Sequence, residues 1–318
     1  MSSLDTATTA LKTRDVREGG AWTIPQRIKN DLIFAMASFA LGAIRALSVR
    51  RVVAIARGMG ALAFALAPRL RARALRNLSI AFPEMPARER RAIAKRAFRN
   101  LAAHVAETLA ARARDEALPP LAFPESSRAI LRDALAEGRG VVLPSAHLGP
   151  WERLAQTLVA HGFPLTAIVR ESYDPRFDRI VDAARARSGV KTIARGAPGA
   201  STRIVRTLRA GGVLGIPMDL ATRAESIVVP LLGAPAKTPV GPARIAVRTG
   251  APIVVCTVEP CDGELAVTCT RIDLPSPAPR SSHVHDVTHA TTRDVNAELG
   301  RRIRLSPEEW PWMHDRFA

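Results

Sequence analysis

The apolar and polar positions of the chain fall into three regimes. Residues 1–30 are polar with scattered charges; they are read as a mobile tail, without the charged-apolar-cleavage layout of a secretory signal. From Asp31 to Val49 the sequence DLIFAMASFALGAIRALSV is apolar almost all round. A helix of that length measures ~28 Å, close to the ~30 Å thickness of a bilayer's hydrocarbon core. A second apolar run, Val52 to Ala67, carries Arg57 and several glycines, and the dense basic cluster PRLRARALR (Pro68 to Arg76) follows it. Ala87 to Ala111 is a charged and then amphipathic helix, with His104 and Glu107 three residues apart on one face, a spacing that suits surface pairing. Residues 31–118 are therefore predicted to form a membrane-associated helical region, spanning the bilayer or lying in its interface. A pair of buried core helices is the alternative. The basic cluster after the apolar run favours a cytoplasmic body.

After the proline-rich break at Leu118 to Pro124 the period changes. Helical stretches (Arg128–Ala136, Pro150–His161, Pro175–Ser188, Ala200–Ala210, Val240–Thr249, His285–Arg304) alternate with short strand-like runs. The predicted strands are Val141–Leu143, Leu165–Val169, Val190–Ile193, Val213–Pro217, Ser226–Pro230, Ile253–Val258 and Glu264–Ile272. Such alternation predicts the α/β class: a mixed, mostly parallel central sheet flanked by helices, with the hydrophobic helical region at the N-terminus. Residues 119–318 form this domain, continuous with the helices before it. No internal repeat is present.

Functional groups of parallel sheets collect at the carboxyl ends of strands. The stretch VVLPSAHLGPWE, Val141 to Glu152, supplies the first. A buried strand ends at Pro144-Ser145, His147 follows on a loop, and Gly149-Pro150 opens a helix. On a continuous helix His147 and Glu152 would point ~140° apart; a strand-to-helix corner lets the carboxylate fold back to the ring, orient it and favour its protonated form. A plain first-turn glutamate, favoured by the helix dipole, is the structural alternative. Arg170 and Asp219 stand at two further strand ends.

Composition narrows the partners. The chain has 318 residues, 47% of them hydrophobic, and a net charge of +17. That surplus suits an anionic partner: acidic carrier protein, anionic lipid or nucleic acid. Aromatic residues are only 4%, poor material for stacking bases, and no nucleic-acid-binding signature appears. The three cysteines, Cys256, Cys261 and Cys269, lack zinc-site spacing and read as reduced thiols. There is no HExxH-type metal set and no GxSxG elbow, and no cysteine sits beside a plausible base.

Several ordered pieces carry a resemblance: RNLSIAFPE (Arg76 to Glu84), HLGPWE, VRESYDP around Arg170 and GVLGIPMD ending at Asp219. VVPLLGAPAKTPVGPARIAVRTGAPIV (Val228 to Val254) and PEEWPWMHDRF (Pro307 to Phe317) complete the set. From Asp31 onward the chain resembles the bacterial lipid A biosynthesis lauroyl/myristoyl acyltransferases, within the lysophospholipid acyltransferase superfamily. The resemblance implies that His147 is the general base and Glu152 its acidic partner. It implies that Arg170, Asp219, Gly233 and Thr238 shape the site or bind substrate, and that no metal or cofactor is needed. The implied donor is an acyl-carrier-protein or CoA thioester, and the acceptor is a hydroxyl of a lipid A precursor or related glycolipid. The implied location is the bacterial inner membrane, with the catalytic domain on the cytoplasmic face and no nucleic-acid partner. Where the family commonly has FFG, this chain reads LLG. Two other functions share these residues: a non-catalytic basic protein binding membrane or nucleic acid on such a fold, and an esterase using His147 with water.

Overall fold

The computed structural model describes residues 21–170, 174–222, 224–274 and 284–317. Four helices come first: α1 (Ile24–Arg45), α2 (Val49–Leu66), α3 (Pro68–Ala81) and α4 (Ala87–Ala113). Then follow α5 (Glu125–Ala136), β1 (Val141–Ser145), α6 (Trp151–Ala160), β2 (Leu165–Val169), α7 (Pro175–Arg187), β3 (Lys191–Ala194), α8 (Ala200–Arg209) and β4 (Val213–Pro217). β5 (Ser226–Leu231), β6 (Ala234–Pro239), α9 (Gly241–Thr249), β7 (Ile253–Cys261), β8 (Glu264–Ile272), α10 (Val284–Leu305) and a 3₁₀ turn (Pro307–Glu309) complete the chain.

The main sheet has the order β3-β2-β4-β1-β7-β8. Its strands run parallel except β8, which returns antiparallel along β7. This is the α/β class predicted. The central strand β1 is buried throughout, which explains why it reads as a continuous apolar run instead of an alternating one. β5 and β6 form a separate antiparallel hairpin, and Asn296 of α10 donates to Pro230 O at 2.7 Å to hold it. β6, APAKTP, has no counterpart among the predicted strands. Its two prolines argue against a strand, yet a two-stranded ribbon has outer edges where a missing N–H costs nothing.

The N-terminal helices differ from expectation at their start. Residues 24–30, read as tail, belong to α1, because Thr23 and Gln26 close a reciprocal capping box and a proline occupies the first turn. Residues 1–20 lie outside the described residues. The basic cluster Pro68 to Arg76 is itself helical, within α3. Among the described residues no single helix is long and apolar enough to cross a membrane; α2 and α3 pass that test only together, across an 89° bend. One apolar core joins these helices to the sheet: Phe64, Leu78 and Phe98 share a cluster with Val142, Leu214 and the C-terminal Trp310 and Trp312. Asn77 of α3 ties the C-terminal segment down, donating to Trp312 O at 2.8 Å and His314 O at 2.7 Å.

α2 and α4 approach closely at Gly60. A Cβ there would collide with the Phe98 carbonyl oxygen and stand 2.8 Å from the Arg99 Cα. Gly60→Leu is therefore expected to destabilise the protein by about 1–3 kcal/mol through overpacking. Gly58, with nothing within 4 Å of such a Cβ, is the control; Gly58→Leu should be neutral or stabilising by up to about 1 kcal/mol, because glycine is a poor helix former. Thermal unfolding of both variants in detergent checks the difference, and equal midpoints would refute the close approach.

Candidate active site

The site is built by two neighbouring strand ends in register. β1 pairs with β4 so that Ser145 lies beside Pro217, and Met218 N–H donates to Ser145 O at 3.0 Å. His147 and Asp219, each two residues beyond the last paired position, are thereby brought together. The His147 Nδ1 lies 2.9 Å from Asp219 Oδ1, and the His147 backbone N–H donates to Oδ2, also at 2.9 Å. Trp310 Nε1 donates to the same Oδ2 at 2.8 Å. An ionised carboxylate only accepts hydrogen bonds. Nδ1 therefore carries the proton, and the neutral ring keeps its lone pair on Nε2. Among the described residues no hydrogen bond engages Nε2, and His147 lines a cavity of about 640 Å³.

The electrostatics follow from burial and pairing. Burial alone would lower the His147 pKa; the charge and hydrogen bond of Asp219 outweigh it, and the net shift is upward. Asp219 is fully buried, which by itself would raise its pKa. The attraction of His147 and the three hydrogen bonds reverse that, so it stays ionised below the usual carboxylate range. A T-shaped contact with Trp151, ring centroids 5.1 Å apart, packs against the imidazole.

Glu152 stands elsewhere than the sequence suggested. Its carboxylate does not fold back to His147 but pairs with Arg185 of α7, at 2.5 and 3.2 Å. The reason is geometric: Glu152 lies in the first turn of α6, already carried round toward α7, whereas Asp219 arrives at the ring on the adjacent strand. The pair raises the Arg185 pKa against the opposing effect of burial. Trp151, Glu152 and Arg185 line the main cavity on one side and a smaller, mostly apolar cavity of about 190 Å³ on the other.

Arg170, directly after β2, lines the main cavity. Gly233 and Thr238 do not. Gly233 makes the β5–β6 turn at a φ of +90°, a left-handed conformation suited to glycine. Thr238 is buried in β6, where its hydroxyl donates to Ala236 O and accepts from Arg316 at 3.0 Å. Both positions shape the hairpin and neither is among the residues that line the main cavity.

Several residues around the site had no role in the sequence reading. Trp310, inside the PEEWPWM stretch, holds Asp219. One residue earlier, Glu309 accepts the Gly149 N–H through its carbonyl at 3.0 Å. Its carboxylate is itself held by Asn100 at 2.7 Å and His104 at 2.6 Å. The C-terminal turn thus clamps the corner that carries His147. His104 spends its ring on Glu309, and Glu107 pairs with Arg153 at 3.3 Å, so the two do not pair with each other. The aromatic type of Trp310 was legible, but its target was not, because 91 residues separate it from Asp219.

Among the described residues no group of His, Cys, Asp and Glu side chains is arranged to hold a metal ion. Cys256 and Cys269 face each other across β7 and β8, sulfurs 3.4 Å apart. Burial pushes the Cys256 thiol well above its ordinary pKa, and neither cysteine lines the cavity. They are unsuited to nucleophilic work.

A family model described as bacterial lipid A biosynthesis acyltransferase matches residues 26–318. No curated protein matches the chain.

Proposed function

The chain belongs to the bacterial lipid A biosynthesis acyltransferase family and is an acyltransferase, and from that premise we propose a direct transfer driven by His147. The donor is an acyl-carrier-protein or CoA thioester, and the acceptor is a hydroxyl of a lipid A precursor or a related glycolipid. The observation that carries the reading is the imidazole whose Nδ1 is held by buried Asp219 while Nε2 faces a 640 Å³ cavity. Cavities of about 300–1,000 Å³ are the size that small-molecule substrates occupy.

The chemistry then needs few parts. Nε2 takes the proton of the acceptor hydroxyl as its oxygen attacks the thioester carbonyl. Asp219 stabilises the imidazolium that forms. The tetrahedral intermediate collapses, the C–S bond breaks, and the imidazolium returns its proton to the departing thiolate. Positive potential at the start of α6, the helix that begins at Trp151, favours the oxyanion. No acyl-enzyme is required. Arg170 lies where it meets an anionic part of a substrate.

Attachment to the inner membrane from the cytoplasmic side completes the proposal. α1 exposes Ile28, Leu32, Met36 and Phe39, and α2 exposes Ile55, Met59 and Leu62. α2 and α3 also carry Arg50, Arg51, Arg57, Arg69 and Arg73. An apolar face with basic neighbours suits a helix lying in an anionic interface.

Purified protein incubated with acyl-carrier-protein and acyl-CoA donors and a lipid A precursor should yield an acceptor heavier by one acyl group in the mass spectrum. Free fatty acid released at the same rate without acceptor would instead mark an esterase. Salt-sensitive binding without transfer from either donor would mark a binding protein.

A further inference from the structure

The carboxyl edge of the sheet carries a second polar cluster beside the dyad. In the order β3-β2-β4-β1, the residues just past the strand ends are Arg195, Arg170, Asp219 and His147. Val169 pairs with Ala194, and the Arg195 N–H donates to Val169 O at 2.8 Å. The roots of Arg170 and Arg195 are therefore neighbours, and both residues line the main cavity. Arg195 is fastened to the loop after Asp219 by a 2.7 Å hydrogen bond from Nη1 to Thr222 Oγ1.

The other two arginines of this cavity are neutralised: Arg185 by Glu152 and Arg244 by Glu225. Among the described residues neither Arg170 nor Arg195 has a carboxylate partner. Partial burial, and after it the like charge of Arg170, lowers the Arg195 pKa. Two guanidiniums side by side with no carboxylate partner among the described residues, one of them tied in place by Thr222, form a site for a dianion such as a phosphoryl group.

We infer that Arg195, together with Arg170, binds a phosphoryl group of the acceptor and so selects phosphorylated acceptors over unphosphorylated ones. The inference rests on the acyl-transfer reading and adds Arg195 as a specificity determinant to it.

Two measurements test this. The first is kinetic and uses a phosphorylated glycolipid acceptor and its phosphatase-treated form. Arg195→Gln should reduce the preference for the phosphorylated form, as a ratio of kcat/KM values, by roughly 10–100-fold, the worth of a charged hydrogen bond. The loss should fall on acceptor KM, and Arg195→Lys should restore part of it. A rise in donor KM instead would assign the clamp to the donor's phosphate. An equal loss on both acceptors would mean that Arg195 only supports the fold, and an unchanged ratio would mean that no phosphoryl group binds there. The second measurement needs no turnover. Glucose 1-phosphate should perturb the arginine Nε–H resonances of the parent protein, glucose should not, and Arg195→Gln should weaken the phosphate effect at least tenfold. Perturbation by both sugars, or persistence in the variant, would overturn the clamp even if the enzyme proved to use another reaction.

Discussion

His147→Ala is expected to lower kcat for acyl transfer by roughly 10²–10⁴-fold, the range spanned by loss of a positioned general base. The acyl donor should still bind, because the apolar walls of the 640 Å³ cavity, among them Leu143, Leu165 and Ile204, are untouched. KM for the donor should therefore stay within a few-fold of the parent. The fold should persist too. Asp219 loses one partner but keeps the backbone N–H of residue 147 and the Trp310 indole. The circular dichroism spectrum should match the parent, and added imidazole should return part of the rate by filling the vacated space beside Asp219. Turnover within tenfold of the parent would remove His147 from the chemistry and leave the direct-transfer mechanism without a base.

The fold was readable where local periodicity and tertiary burial agree. β2, β4 and β8 occupy the residues their apolar runs predict, because each is bounded by turn residues that leave little choice of register. It was not readable where one rule overrode another. Prolines in β6 disguised a strand, and the dense arginines of Pro68 to Arg76 gave no sign of where α3 begins and ends. The start of α1 was hidden because its first turn is polar; only the reciprocal contacts of Thr23 and Gln26 reveal it.

The site divides along the same line. His147, Arg170 and Asp219 were recognisable as strand-end residues, since the rule needs only the order of elements. Which carboxylate serves the histidine was not recognisable. Chain proximity favoured Glu152, five residues away, but the partner is decided by which strands lie side by side. Only once β4 is known to adjoin β1 with Ser145 beside Pro217 does Asp219 fall opposite His147. The same register logic brings Arg195 next to Arg170. Trp310 and Glu309 belong to a further class: they come from the far end of the chain and act through contacts that no local pattern encodes.

Asp219→Asn provides the sharpest discrimination between the two carboxylates. All three groups facing Asp219 are donors: His147 N–H, His147 Nδ1–H and Trp310 Nε1–H. An asparagine retains one acceptor oxygen and turns an NH₂ toward donors it cannot satisfy. The ring escapes by moving its proton to Nε2, the atom that must accept one, so the expected loss in kcat is roughly 10²–10⁴-fold, as for other histidines deprived of their carboxylate. The pH profile fixes the sign. The base works only when neutral, so in the parent the rate climbs as pH rises through a His147 pKa that Asp219 holds above its ordinary value. Without that charge burial dominates, the pKa falls, and the acid limb should shift to lower pH while the plateau drops. Glu152→Gln breaks the pairing with Arg185 and leaves both atoms of the dyad in place. Its loss should stay near tenfold, about 1.4 kcal/mol, with a much smaller shift of the acid limb. If Glu152→Gln instead reproduced the large shift and Asp219→Asn did not, Glu152 would be the orienting acid during turnover, and the contact seen between Asp219 and His147 would be a resting arrangement.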